Sequence, residues 1–247
     1  MSFSCLAERF CYMMQQRDSR AINMPNPEKI LELLRSYLAR SMQEAKLQLD
    51  KSQSDGRLNS QANERQISQA LELFGLANES FQAANLKVEV SPPRYWFDFC
   101  IKGPNVFLPV NVKVSSLEGN DNLSSKEGVF FALTGIDPKQ AKINDWERYC
   151  ESLGANLASE PEADYYFLVI NKTIPGDVFW TSLKRLPELT PNGNNPPFQC
   201  NWSKNRTHAQ RSREEAERYI LGTLRQTFVL RANALESFDA HIQLNTK

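Results

Sequence analysis

An acid, an amide and a lysine occupy neighbouring strand-like segments within residues 93–116 of this chain. Side-chain alternation puts Asn111 and Lys113 on one face of the second segment, while Asp98 lies in the middle of the first. A turn at 102–105 (KGPN) predicts a hairpin that would bring the three side chains together. A desolvated carboxylate or ammonium is costly unless it is paired. The cluster is therefore either a partly buried Asp98–Lys113 ion pair or a chemically active site.

A second group of chemically useful side chains lies in residues 201–213, NWSKNRTHAQRSR. Its basic residues are interleaved with Asn, Gln and Trp, and the segment contains no acid. Lysine and arginine neutralise phosphates, and Asn, Gln and Arg can also read base edges. Glutamates follow directly at 214, 215 and 217, so an ordinary solvated surface is the competing interpretation. The DNA-facing residues predicted here are Asn201, Trp202, Lys204, Asn205, Arg206, Arg211 and Arg213.

Other common catalytic arrangements are missing from the sequence. His208 and His241 are the two histidines, and since neither lies in a nucleophile-elbow or triad motif, we expect surface residues. Neither G-x-x-x-x-G-K-[ST] nor G-x-G-x-x-G occurs, which leaves a nucleotide-phosphate loop unsupported. The five cysteines form no C-x-x-C pair and predict neither a zinc site nor a disulfide framework.

Hydrophobic spacing and capping signals predict the elements that must position these residues. Predicted helices cover 26–50, 60–74, 125–133, 145–153 and 212–235. The first begins with Asn26 and Pro27, and the last begins with a capping box of Ser212 and Glu215. Predicted strands cover 86–90, 95–101, 106–114, 163–171 and 178–183, and a loop is expected at 190–197.

The same patterns predict which side chains are buried and how the elements assemble. In the second strand Phe97 should face away from Trp96. Gly75 should end the second helix, and the last helix should bury a stripe that runs to Leu230 and Leu235. The succession of helices and strands, with the most apolar strand at the centre, predicts one α/β domain with a mixed sheet.

The composition is that of an ordinary globular protein. The 247 residues include 29 Lys+Arg and 29 Asp+Glu, and 41% are hydrophobic. A net charge of zero excludes a highly basic, tail-like nucleic-acid binder but leaves room for a local basic face. No apolar run approaches the roughly 18 residues of a membrane span, and the N-terminus lacks the pattern of a signal peptide. We therefore expect a cytoplasmic protein that does not associate with a membrane.

Asp98, followed thirteen residues later by Asn111-Val112-Lys113, resembles the PD-(D/E)-x-K core of the restriction-endonuclease-like nucleases. In that superfamily a hairpin carries metal-binding acids and a lysine. The runs 107–116 (FLPVNVKVSS) and 122–126 (NLSSK) are similar to segments of type II restriction enzymes. The resemblance covers about residues 60–205, and its motif content lies in 94–126. It departs from the family pattern at Phe97, where the motif has proline, and at Asn111, where Asp or Glu is usual.

The resemblance implies a restriction-endonuclease-like mixed sheet flanked by helices, and a Mg²⁺ site on it. The ligands implied are Asp98, the Asn111 side-chain oxygen and the Val112 carbonyl. Glu64, on the preceding helix, would supply the carboxylate that Asn111 lacks, and Glu118 and Asp121 are the alternatives. Bound Mg²⁺ would polarise the scissile phosphate and lower the pKa of an attacking water. Lys113 would orient or deprotonate that water.

The function implied is that of a type II restriction endonuclease, which hydrolyses double-stranded DNA at a specific sequence as a homodimer. Further DNA contacts are expected from Asn122, Ser124, Ser125 and Lys126. Two alternatives stay open: a structure-specific repair nuclease, and a non-catalytic DNA-binding or assembly protein whose metal site is disabled by Asn111. Residues 1–247 are expected to form one nuclease domain. Its parts would be an N-terminal helical extension (1–58), a catalytic core (59–190), and a DNA-contacting arm with the C-terminal helix (191–247).

Overall fold

A five-stranded mixed sheet forms the centre of the protein. The computed structural model describes residues 26–49, 56–123 and 126–242. The helices are α1 (Pro27–Gln43), α2 (Gly56–Ala77), α3 (Glu79–Ala83), α4 (Lys126–Thr134), α5 (Pro138–Ala141), α6 (Trp146–Asn156) and α7 (Arg213–His241). The strands are β1 (Lys87–Val90), β2 (Phe99–Gly103), β3 (Val106–Ser115), β4 (Asn120–Asn122), β5 (Tyr166–Asn171), β6 (Val178–Ser182), β7 (Thr190–Pro191) and β8 (Phe198–Asn201).

The strand order of the main sheet is β1-β2-β3-β5-β6. The first three strands are antiparallel, β5 runs parallel to β3, and β6 returns antiparallel to β5. All six residues of β5 are buried, as expected for a central strand covered on both faces. A second, small sheet has the order β4-β8-β7. The mixed α/β class predicted from the sequence is confirmed.

The two faces of the main sheet are covered by separate hydrophobic clusters. One cluster contains Val110 and Val112 of β3 together with residues of α1 and α2. The other contains Phe167 and Val169 of β5 together with residues of α4, α6, α7 and the small sheet. Because strand side chains alternate, the residues of β3 between its buried valines face the second cluster.

The predicted helix starts are confirmed by their hydrogen bonds. The Asn26 side chain accepts from the Glu28 N–H, and Ser212 with Glu215 forms a complete capping box at the start of α7. The C-terminal predictions are less accurate. Gly75 does not end its helix, since α2 continues to Ala77, and α7 extends to His241.

The strand predicted at 95–101 begins only at Phe99, because residues 96–98 form a bend. The alternation expected for Phe97 is therefore wrong, and Phe97 packs in the same cluster as Trp96. The expected loop at 190–197 contains the short strand β7, which pairs with β8. In the part of the chain that the structure describes, no helix combines the length and apolarity needed to cross a bilayer.

Candidate active site

The Asp98 carboxylate caps the end of the β2–β3 ladder. The Asp98 N–H donates to the Val110 carbonyl at 3.0 Å, and the Val112 N–H donates to Asp98 Oδ2 at 2.7 Å. Strand β2 begins at Phe99, opposite Val110, so Val112 lies beyond the end of β2. A side-chain carboxylate thus replaces the missing strand as the acceptor for this backbone donor.

The backbone carbonyl of Val112 points toward the same edge. The Val110 carbonyl faces β2, whereas the Ser115 carbonyl accepts from the Lys172 N–H at 2.9 Å on the other side of β3. Because strand residues alternate in this respect, Val112 turns both its N–H and its C=O toward the side of Asp98. No strand of the described residues lies opposite that carbonyl.

Asn111 places an unsatisfied oxygen next to the strand edge that Asp98 caps. Asn111 lies on β3 between Val110, whose carbonyl accepts from the Asp98 N–H, and Val112, whose N–H donates to the Asp98 carboxylate. The Asn111 Oδ1 atom is buried and accepts no hydrogen bond from any described residue. Leaving a buried acceptor unpaired costs about 1–3 kcal/mol. Such an atom suits a ligand that offers positive charge, and a hard cation prefers amide and carboxylate oxygens.

Tyr165 packs against the bend that carries Asp98. Its hydroxyl donates to the Trp96 carbonyl at 2.5 Å, and Asn111 lies beside that hydroxyl. Burial raises the pKa of Tyr165 well above its ordinary range, and the negative charges of Asp98 and Glu127 raise it further. The phenol therefore stays protonated and holds the Trp96–Asp98 bend in place.

The charges of Asp98 and Lys113 interact without direct contact. Burial raises the pKa of Asp98, while the Val112 N–H and the positive charge of Lys113 lower it. Lys113 is half-buried, yet it forms no ion pair within 4.0 Å with any described residue. The interpretation of the pair as a structural salt bridge is therefore not supported, and the ammonium is available to another ligand.

The small sheet lies near Lys113. Asp121 of β4 pairs in register with Cys200 of β8. Burial raises the pKa of the Cys200 thiol, the charge of Asp121 raises it further, and the charge of Lys113 lowers it. Lys113 thus interacts electrostatically with Asp98 at the main sheet and with Cys200 of the small sheet.

The carboxylate expected to compensate for Asn111 is not part of a preformed cluster. Glu64 lies on α2, whose Ile67 and Leu71 pack on the opposite face of the main sheet, and Glu118 is exposed after β3. Among the described residues, no three His, Cys, Asp or Glu side chains come together to hold a metal ion. Any cation here would depend on Asp98 together with neutral oxygens and more distant acids.

A second buried acid provides a structural contrast. Asp164 Oδ1 accepts from the backbone N–H groups of Tyr165 at 2.8 Å and Lys184 at 3.3 Å. Lys184 is itself engaged, since its Nζ donates to the carbonyls of Pro161 and Ala163. This acid and lysine are fully committed to backbone contacts, unlike Asp98 and Lys113.

Two of the predicted DNA-contacting residues belong to the core, so their expected role is wrong. Trp202 and Asn205 have no exposed surface. The Trp202 ring packs 5.4 Å from that of Phe167. Asn205 hydrogen bonds to the backbone of Glu188 and of Asn201 at 2.8–3.0 Å. The Asn201 side chain caps the following short helix by accepting from the Ser203 N–H.

The basic residues of the same segment are occupied within the fold. Arg206 makes a bidentate pair with Asp177, and Lys204 pairs with Glu188 at 3.0 Å. Arg213 pairs with Glu217 at 2.9 Å. The Arg211 guanidinium donates to the carbonyls of Leu186 and Pro187. The segment is an integral part of the small sheet and its surroundings rather than an extended arm.

The remaining predicted DNA contacts lie around the start of α4. The exposed Asn122 accepts from the Asn192 side chain at 3.0 Å. Lys126 donates to the Asn144 carbonyl at 3.0 Å and lies over the Trp146 ring. Ser124 and Ser125 fall outside the described residues.

Tyr165 and Glu127 are the site residues that sequence reasoning missed. Tyr165 directly precedes the most apolar strand, and a hydroxyl at that position is a weak signal. Glu127 occupies the first turn of a short helix, where an acid is also expected for capping reasons alone. Only the packing of α4 against the residue before β5 brings Glu127 near Tyr165, whose hydroxyl in turn lies near Asp98.

Comparison with protein-family models found no match for this chain, and a search of curated proteins found none either.

Proposed function

We propose that this protein is a Mg²⁺-dependent type II restriction endonuclease that hydrolyses phosphodiester bonds of double-stranded DNA. One observation carries the proposal. A partly buried carboxylate, an unsatisfied amide oxygen and a lysine without an ion pair among the described residues lie together at the end of the β2–β3 hairpin. A folded protein that keeps such costly groups unpaired uses them for a ligand more often than for stability.

The residues available fit a hard cation through oxygen atoms. Asp98 keeps Oδ1 free while its Oδ2 holds the Val112 N–H, and Asn111 offers the unsatisfied Oδ1. The Val112 carbonyl supplies a third oxygen at the same edge. When bound, Mg²⁺ would polarise the scissile phosphate and acidify a water molecule. Because Asn111 is neutral where a second carboxylate would add negative charge, we expect weak binding of the ion.

Lys113 is the side chain that would act on the phosphate directly. Its ammonium lies where the field of Asp98 is felt and has no partner among the described residues. It would donate hydrogen bonds to a phosphate oxygen and stabilise the negative charge that develops during attack. Asp98 would fix the geometry of the hairpin edge through the Val112 N–H while it binds the cation.

Digestion of plasmid DNA with Mg²⁺ or with EDTA tests the activity. We expect discrete fragments with Mg²⁺ and at least a 100-fold loss of rate in Asp98→Ala and in Lys113→Ala. Glu147→Ala, an exposed acid on α6, is the matched control and should cut normally. Cutting at flaps or junctions alone would favour a structure-specific repair nuclease. DNA binding without cleavage would favour the non-catalytic alternative.

The substitution Asn111→Asp tests the cation site directly. A carboxylate at this position would add negative charge to the site, so we expect Mg²⁺ to bind about tenfold more tightly. Without Mg²⁺ the variant should be less stable than the parent, because two carboxylates would then repel each other. Thermal unfolding in a Mg²⁺ titration measures both effects. A destabilised variant that Mg²⁺ fails to rescue would argue against a cation at this site.

The C-terminal half of α7 supports the homodimer that is part of this proposal. Leu235, Phe238 and Ile242 are exposed by 63%, 46% and 47%. In an α-helix Leu235 lies on the same face as the buried Leu224, and Phe238 on the same face as the buried Ile220. The face that packs on the body of the protein thus continues beyond it as an apolar stripe.

A second copy of this chain is the partner that the stripe fits. If two copies of α7 cross antiparallel at Leu235, Arg231 of each copy comes level with Asp239 of the other. Opposite charges then flank an apolar seam, and the same patch serves both subunits, as two-fold symmetry requires. This arrangement would pair two nuclease sites on one duplex.

A further inference from the structure

A cleft with a basic rim lies next to the candidate active site. It has a volume of about 510 Å³. Its walls come from the turn before β2 and from the α4–α6 segment, and it is lined by Arg94, Tyr95, Trp96, Glu127, Pro138, Lys139, Lys142, Ile143 and Asn144. The sequence analysis assigned no role to any of its basic residues.

The three cations of the cleft are not neutralised by the fold. Arg94, Lys139 and Lys142 are exposed, and none forms an ion pair with a described residue. Glu127 is the one acid in the lining. Lys139 lies 3.9 Å from the centroid of the Tyr95 ring, an arrangement that leaves its hydrogen-bond donors free. The cleft therefore has an excess of positive charge.

Two of these basic residues have a left-handed backbone conformation, which glycine would adopt at lower energetic cost. Arg94 has φ 63° and Lys142 has φ 51°. Glycine takes this left-handed conformation without penalty, whereas a residue with a Cβ is strained by roughly 1–2 kcal/mol.

Trp96, which lines the cleft, belongs to the same bend as Asp98. Trp96 is 6% exposed, and its indole N–H is buried with no acceptor among the described residues. The Trp96 carbonyl receives the Tyr165 hydroxyl, and Asp98 follows two residues later. An anionic ligand in this cleft would thus contact Trp96, two residues before the proposed cation ligand Asp98.

We infer that this cleft binds phosphate groups of the nucleic-acid backbone adjacent to the bond that is cut. The inference deepens the proposed nuclease function and rests on it for its biological context. Unpaired cations around a concave aromatic surface are what a phosphodiester strand requires. The cations of residues 201–213, by contrast, pair with acids or donate to backbone carbonyls within the fold, whereas the cations of this cleft form no ion pair with a described residue.

Binding of a labelled 30-base-pair duplex in EDTA, at several KCl concentrations, tests the inference. The double variant Arg94→Gly/Lys142→Gly removes two charges and also relieves both strained backbones, so we do not expect it to unfold more readily. Each lost phosphate contact lowers the slope of log K against log salt by about 0.9 for duplex DNA. We expect a slope smaller by about 1.8 and at least tenfold weaker binding near 0.1 M salt.

Two control variants separate this inference from the nuclease proposal. Lys102→Ala removes an exposed cation that pairs with Glu89 and should leave binding unchanged. Asp98→Ala should bind with the parent's slope even if it cuts nothing. An unchanged slope in Arg94→Gly/Lys142→Gly would overturn the cleft assignment while leaving cleavage by the parent to stand. Failure of the parent to bind DNA would overturn both.

Competition with inorganic pyrophosphate and ATP distinguishes a polymer from a free phosphate compound. Neither should displace the duplex at micromolar concentration, because a single small anion cannot replace several backbone contacts. Displacement at that concentration, lost in Arg94→Gly/Lys142→Gly, would assign the cleft to a free organic phosphate and overturn the inference.

Discussion

Asp98 makes a structural hydrogen bond, but the burial of its charge is energetically unfavourable. Its carboxylate completes the hydrogen bonding of the β2–β3 hairpin by accepting from Val112. Burial raises the pKa of Asp98, because water is partly excluded from the carboxylate. The positive charge of Lys113 offsets this only in part, since the two side chains are not in direct contact. A charge kept under these conditions is typical of a functional site that gives up stability.

Replacement of this charge should therefore stabilise the protein. We expect Asp98→Asn to keep the hydrogen bond to Val112 and to raise the free energy of unfolding by about 0.5–2 kcal/mol at neutral pH. Urea denaturation in EDTA measures this, and Glu147→Gln is an exposed control that should change little. Lower stability in Asp98→Asn would mean that the ionised carboxylate serves the fold rather than a ligand.

Arg206 gives the opposite case at the residue scale, a basic side chain held for stability. The hydrogen bonds from Arg206 lower the pKa of Asp177. A carboxyl group with a lowered pKa in the folded state stabilises the fold above its unfolded pKa of about 4, and this contribution is lost as the pH falls through the folded value.

Arg206→Ala should thus lower stability at pH 7 by up to about 1 kcal/mol, since the pair is partly exposed. The part of this loss that comes from the ion pair should be smaller near pH 3 than at pH 7, because the stabilisation declines as the pH falls below the unfolded pKa. Chemical denaturation of parent and variant at the two pH values measures the difference. DNA affinity should stay the same, and a loss of affinity would restore this arginine as a phosphate contact.

The packing of α4 on β5 is the contact between elements on which the site depends. All residues of α4 from Gly128 to Thr134 are buried. A Cβ atom at Gly128 would lie 2.7 Å from Cε1 of the Tyr165 ring. The absence of a side chain at this position lets the helix approach closely enough for Tyr165 to hold the Trp96 carbonyl.

Gly128→Ala should push the two elements apart. We expect a loss of about 1–3 kcal/mol in stability from overpacking, together with weaker cleavage as the bend before Asp98 loses its support. Gly154→Ala on α6 is the matched control, since no atom lies within 4 Å of the added Cβ. There the better helix propensity of alanine should add roughly 1 kcal/mol. Equal stability of the two variants would contradict this account.

At the scale of the whole molecule, the second half of α7 extends past the hydrophobic core on which its first half packs. Leu230 and Leu235 were expected to be buried, and both are exposed. Leu235 continues the helix face of the buried Leu224, but the partner for that face is missing within the described part of the chain. The proposed homodimer supplies that partner.

Leu235→Glu/Phe238→Glu should convert the dimer to a monomer, because two acids would face each other across the seam in each copy. Sedimentation equilibrium at micromolar concentration measures the mass. Asn233→Glu, on the opposite side of the helix, should leave the dimer intact. A monomeric parent protein at tens of micromolar would remove the basis for this interface.

The sequence by itself determined most of the elements and the register of the central hairpin. Capping residues such as Asn26 and Ser212 act through local hydrogen bonds, and strand alternation acts between neighbouring residues. Both are therefore visible without a fold. The proximity of the segments that carry Asp98, Asn111 and Lys113 follows from the same local rules, once the turn between the strands is known.

Only the tertiary structure decided which charges are free. The cations of residues 201–213 find acids and carbonyls that are distant in the chain, such as Asp177, whereas Arg94 and Lys142 find none among the described residues. The approach of Tyr165 to Asp98, and of Glu127 to Tyr165, likewise depends on how α4 packs across the sheet. Electrostatic pairing depends on distances in space between residues far apart in sequence, and local patterns carry no information about those distances.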